Sequence, residues 1–161
     1  MRKIFPIIFL SILIISACEK DDFCVQNPIT PNLVLRFYDN ANRENLKEVL
    51  RLSVWAEGKD TIQSYKSIDT DSIAIPLNSV ENKTIYHLKM NHIDGAIANN
   101  QTATLTIEYK PKEEYVSRSC GFKIIFNEVD FSSDNTWIKA FTPNTLTTIA
   151  NQNAAHVQIF H

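Results

Sequence analysis

Apolar residues recur at every second position in this chain, run after run. Leu33, Leu35 and Phe37 alternate with Val34, Arg36 and Tyr38, and Leu50, Leu52, Val54 and Ala56 alternate with Arg51, Ser53, Trp55 and Glu57. A period of two puts one set on one side of a pleated strand and the other set on the opposite side, so such runs become half-buried strands packed against a second layer. Further strands are expected at 72–77, 84–90, 102–109, 115–126, 137–141 and 155–160. In the run 115–126, Val116, Cys120, Phe122, Ile124 and Phe126 share a parity, which turns Cys120 toward the core beside aromatic rings. "NPITPN" at 27–32 reads as an entry segment, and Asp94-Gly95 and Asn99-Asn100 read as turns. A short helix fits the polar stretch "DNANRENLKE", and a helical turn fits 146–150. The expected fold is all-β: one antiparallel β-sandwich over 33–161, of immunoglobulin-like or transthyretin-like topology.

A different pattern precedes the strands. Arg2 and Lys3 lead into an apolar stretch from Ile4 to Ile15, whose twelve residues are short of the roughly 20 needed to span a bilayer. It reads as a signal segment over 1–17. Ile15-Ser16-Ala17-Cys18 is similar to the lipobox of bacterial lipoproteins, which implies cleavage before Cys18 and lipidation of its thiol. Residues 18–32 then form a lipidated tether. Lys20-Asp21-Asp22 resembles the lysine-plus-acid signal that sends lipoproteins of Bacteroidota-type bacteria to the cell surface. The expected location is the outer membrane, lipid-anchored and surface-exposed, with a periplasm-facing protein as the second choice.

Loss of the signal segment leaves fourteen basic against eighteen acidic residues, a net charge of −4 without any basic block. Nucleic acid is therefore not an expected partner, since binding it needs clustered phosphate neutralisation. With Cys18 given to lipid, the remaining Cys24 and Cys120 make an even count, and a disulfide is expected in an oxidising compartment. A free thiol and a metal site are the alternatives, although neither cysteine lies in a CxxC or Cys/His cluster.

"SACEKDDFC", "FYDN", "DSIAIPLN" and "YVSRSCGF" together resemble a family of small lipoproteins of Bacteroidota-type bacteria that has no assigned activity. The resemblance implies an envelope location and a β-sandwich-type domain, and carries over no catalytic residue. Asp60-Thr61-Ile62 and Asp71-Ser72-Ile73 are similar to O-glycosylation sites of exported proteins in such bacteria, which makes Thr61 and Ser72 candidate modification sites.

Catalytic signals are lacking. The three glycines, Gly58, Gly95 and Gly121, stand in no phosphate-loop, dinucleotide or nucleophile-elbow setting. His87, His92, His156 and His161 show no metal-ligand spacing, and no cofactor is expected. Glu113-Glu114 and Asp69/Asp71 read as solvated acids, and Ser117 and Ser119 as cross-strand hydrogen-bonding groups. The aromatics Trp55, Tyr86 and Trp137 are candidates for a binding surface on a sheet face. The expected function is a non-enzymatic binding or scaffolding module that holds an outer-membrane protein or a glycan. An accessory domain or enzyme acting on envelope glycan or peptide is the alternative.

Overall fold

The computed structural model describes Cys24, 30–93, 100–134 and 136–161; the lipobox, Cys18, Lys20-Asp21-Asp22 and the Asp94-Gly95 turn lie outside the described residues. The chain divides into two compact units, Ile29–Glu114 with Lys123–His161, and Met1–Pro28 with Tyr115–Phe122.

The larger unit is an all-β sandwich. One sheet has the order β4 (Ser72–Ile75), β1 (Leu33–Tyr38), β10 (Val157–Phe160), β8 (Ala140–Thr142). The other has the order β3 (Ile68–Thr70), β2 (Val49–Ala56), β5 (Lys83–Met90), β6 (Gln101–Ser117), β7 (Gly121–Ser133), β9 (Thr145–Ile149). β1 and β10 run parallel, with Leu35 opposite Val157 and Phe37 opposite Ile159, whereas β1 with β4, β10 with β8, β2 with β3 and β5, β5 with β6, and β7 with β9 pair antiparallel. Among the described residues the helical content is a single 3-10 turn at Gln63–Tyr65, and no helix is long and apolar enough to cross a membrane.

The alternation in β1 and β5 survives intact: Leu33, Leu35 and Phe37 are fully buried, as is Leu88, with Tyr86 nearly so. They meet Ile73, Ile75 and Ile159 from one sheet and Leu52, Val54, Ile107 and Phe126 from the other in one core cluster. Each such aliphatic or aromatic side chain contributes roughly 1.5–3 kcal/mol by leaving water. Strand β2 breaks the expected phase. Val49 pairs with Thr70 but Leu52 with Ile68, so β2 carries one extra residue in a β-bulge, with Arg51 at φ +46°. Val49, Leu52 and Val54 face the core as a result, Leu50 is 50% exposed, and Ser53 is fully buried. An odd step recurs in β7, where Phe126 and Val129 both face inward around Glu128 at φ +51°.

Three other expectations are corrected. Residues 115–126 are not one strand: β6 ends at Ser117, a turn occupies 118–120, and β7 begins at Gly121, whose φ of +72° suits a residue without a Cβ. Residues 146–149 belong to β9 (Thr145–Ile149) rather than to a helical turn, because that strand pairs with Phe126–Asp130. The polar stretch after β1 is bends and turns, closed by a bridge between Tyr38 and Leu46 and by Lys47 Nζ donating to Asp39 at 3.2 Å.

In the smaller unit the described residues are Cys24 and 115–122. The sulfurs of Cys24 and Cys120 stand 1.97 Å apart, with the two Cα atoms separated by 4.8 Å. Cys120 sits in the turn and is partly exposed rather than turned into an aromatic core. The Ser117 hydroxyl accepts the Cys120 amide at 3.0 Å and lies 3.3 Å from Ser119, so these serines shape the turn instead of bonding across strands.

Candidate functional site

Outward-facing residues of β2 and β5 build a ledge on the six-stranded sheet. Trp55 and His87 are cross-strand partners, and their rings stack at 5.4 Å with an interplanar angle of 30°. Beside them is a shallow hollow of about 240 Å³ whose rim includes Lys59, Asp60, Thr61, Lys89 and His92. His92 also lines a second hollow of about 200 Å³, together with Arg51, Lys66, Ser67 and Ile93. The two hollows share one histidine. Around them stand four cationic side chains, Arg51, Lys59, Lys66 and Lys89, with Asp60 as the acid on the rim.

The residues just beyond the β2 bulge set this geometry. Ser53 shares the outward face of β2 with Trp55 and is buried because His92 and Ser67 cover it, its Oγ lying 2.7 Å from His92 Nδ1. The Ser67 amide donates to Ser53 Oγ at 2.9 Å, so the serine hydroxyl is held between the Ser67 backbone and the His92 ring. Ser67 Oγ donates back to the His92 carbonyl at 2.8 Å, and the His92 amide donates to the Arg51 carbonyl at 3.0 Å. The Arg51 amide donates to Asp69 Oδ1 at 2.6 Å, while one guanidinium nitrogen reaches Asn91 at 3.3 Å. These bonds fix the imidazole between the two hollows. A serine–histidine contact is also the raw material of a nucleophile, but Ser53 has no accessible surface, so the pair holds a ring in place and offers no oxygen to a substrate.

Of the three aromatics read as binding candidates, Trp55 alone lies on the ledge. Tyr86, 2% exposed, belongs to the core, where its hydroxyl donates to the Pro76 carbonyl at 2.5 Å. Burial pushes that phenol up to about 12, and the neighbouring Tyr109 adds to the shift. Trp137, 3% exposed, is also core, its indole N–H donating to the Leu88 carbonyl at 2.9 Å. Both correct the expectation of a surface role: a ring with a polar tip can be fully buried once the tip finds a carbonyl. Thr61 stands on the rim of the Trp55 hollow, whereas Ser72 lies within β4 and its hydroxyl donates to the Leu35 carbonyl at 3.2 Å.

Three of the four acids read as solvated are engaged. Glu114 is 3.6 Å from Lys123, Asp71 is 3.7 Å from Arg36, and Asp69 receives the Arg51 amide. Among the described residues no three His, Cys, Asp or Glu side chains converge as metal ligands. Arg51, Ser53, Lys66 and Ser67 were not legible as site residues, since their convergence depends on a bulge for which an alternating run gives no signal.

A family model described as a family of unknown function (DUF6452) matches residues 51–161. No curated protein and no solved structure matches the chain.

Proposed function

We propose that this chain, which belongs to that family of unknown function, is a lipid-anchored recognition module of the bacterial cell envelope. It is held at the outer membrane by acylated Cys18, sent to the cell surface by Lys20-Asp21-Asp22, and grips an acidic glycan on the Trp55 ledge. The lipobox-like Ile15-Ser16-Ala17-Cys18 and the export-like tripeptide support the location, in the manner of small lipoproteins of Bacteroidota-type bacteria. The observation that carries the binding half is the stacked Trp55–His87 pair flanked by cationic side chains around two joined hollows. An aromatic face takes the apolar side of a sugar ring, and lysine or arginine beside it takes a carboxylate by charge-assisted hydrogen bonds. The module works by holding its ligand.

Tryptophan fluorescence tests the binding half directly, because the chain has two tryptophans and Trp137 is buried. Uronic-acid oligosaccharides should quench Trp55 emission saturably and neutral oligosaccharides should do so far less, with Lys89→Ala weakening the acidic ligand. Equal, non-saturable responses to both would refute it. For the location, Cys18→Ala should abolish labelling by a fatty-acid analogue, and alanines at Lys20, Asp21 and Asp22 should remove protease accessibility on intact cells; unchanged labelling or accessibility refutes the corresponding half.

A further inference from the structure

We propose that the tip of the β6–β7 hairpin is a second membrane contact, with Tyr115 and Phe122 seated in the lipid headgroup interface beside the acyl anchor. The proposal deepens the preceding one and rests on Cys18 as the anchor point.

Exposure is the first ground. Tyr115 is 59% and Phe122 61% exposed, and their rings meet edge to face at 5.4 Å. The exposed large apolar side chains among the described residues also include Leu46, Leu50, Val80 and Ile93, but this pair alone is aromatic. Two adjacent aromatic rings left in water forgo the gain that burial would bring, and a tyrosine beside a phenylalanine suits the boundary where an apolar body meets a wet rim.

Covalent reach is the second ground, and it is independent of the first. Cys120 is bonded to Cys24, which follows Cys18 by six residues. Six residues, fully extended, span at most about 20 Å. The turn that carries Cys120 therefore cannot leave the neighbourhood of the headgroups once Cys18 is acylated, and Phe122 is two residues further along. The bond determines which part of the protein stays next to the lipid, and that part is where the exposed aromatic pair is found.

Charge is the third. Within 115–122 the charged side chain is that of Arg118, which is exposed in the turn; the carboxylates nearest in sequence are Glu113 and Glu114, just before Tyr115, the latter 3.6 Å from Lys123. An arginine at this level can keep its head among lipid phosphates while its stem lies along apolar surface. The single acyl-linked residue and the aromatic tip then act as two contacts, which fixes orientation as well as attachment.

The test uses the mature chain with Cys18 coupled to a maleimide lipid in phosphatidylcholine–phosphatidylethanolamine vesicles, which reproduces the anchor point whether or not cells acylate it. Trp55→Phe silences the ledge, Trp137 stays as a buried constant, and Phe122→Trp or, separately, Tyr115→Trp reports on the tip. On coupling, the new tryptophan should shift to the blue, lose at least half of its emission to lipids brominated near the headgroup, and become less accessible to acrylamide in water. An emission unchanged by brominated lipid with full acrylamide access, in protein that floats with the vesicles, would overturn the contact. Shielding from acrylamide without bromine quenching would overturn it too, since it would mean that two copies cover each other's tips. Fatty-acid labelling of Cys18 in cells reports separately on the anchor, so failure of the anchor and failure of the tip contact give different results.

Discussion

Alkaline pH should weaken the sandwich through one buried phenol. Tyr86 is 2% exposed on β5 with its hydroxyl on the Pro76 carbonyl, a bond that only the neutral phenol can donate. Burial, with Tyr109 adding to it, raises its pKa from 10.0 to about 12. Between those values the unfolded chain gives up the proton first, so stability falls as pH rises: it is fully present below about 10 and lost progressively toward about 12. Two pH units at about 1.36 kcal/mol each make the full effect roughly 3 kcal/mol, of which about 2 should be gone by pH ~11.5. Urea unfolding from pH ~8.5 to ~11.5 on wild type and Tyr86→Phe measures it. The variant begins about 1 kcal/mol less stable for want of the hydroxyl, and its curve should be flatter by about 2 kcal/mol across the range. Tyr109, whose pKa burial also raises, is present in both proteins, so the comparison isolates the Tyr86 hydroxyl and its interaction with Tyr109. Parallel curves would refute the assignment of the pH dependence to Tyr86.

Trp137→Ala should cost about 3–5 kcal/mol by emptying a core site, and Trp137→Phe about 1–3 kcal/mol by leaving the Leu88 carbonyl without its donor; chemical denaturation checks both. Serines at Cys24 and Cys120 remove a crosslink with a sequence separation of 96, for which chain entropy gives up to about 4.7 kcal/mol, so the oxidised protein should lose stability on reduction and the double variant should not. His156 accepts the Val34 amide on Nδ1, and burial lowers its pKa below the usual 6.5. Protonation removes that acceptor, so stability should decline as pH falls below about 6.5 and decline less in His156→Gln, read by thermal unfolding at pH ~5 and ~7.5.

The strands that the sequence displayed most clearly are those whose faces alternate without interruption. β1, β5 and the first half of β6 bury every second residue, so period and phase can both be read from the residues themselves. β2 has the same composition but a different phase at its start, because the bulge at Leu50–Arg51 inserts a residue that no alternation rule can place. The hairpin tip fails for another reason. Tyr115, Val116 and Phe122 are strand-forming residues, and the turn between them is built from Ser117 and a positive-φ Gly121 without an Asn-Gly or Asp-Gly dipeptide, so the run reads as continuous strand. Trp137 precedes β8 in a connection that has no period, and its burial rests on partners distant in sequence, the Leu88 carbonyl and the rings of Phe37 and His161.

Where the sequence and the fold part company is also where the backbone departs from ordinary conformations. Four described residues other than glycine have positive φ, and three of them, Arg51 at +46°, Ser67 at +55° and Asn91 at +55°, belong to the network around His92. Each such residue costs of order 1–3 kcal/mol unless its surroundings over-determine it. Here the surroundings do: the Arg51 amide is taken by Asp69, the Ser67 amide by Ser53, and the Asn91 amide by the Leu50 carbonyl. Part of that strain serves the core, since the bulge brings Val49 inward beside Leu52 and Val54 and sends Leu50 to the surface. The rest is local: with Ser53 beneath it, the His92 ring is held between two hollows, with Arg51 and Lys66 at the edge of one and Lys89 at the edge of the other. A cationic ledge organised at this conformational cost supports the proposal that the ledge holds a ligand.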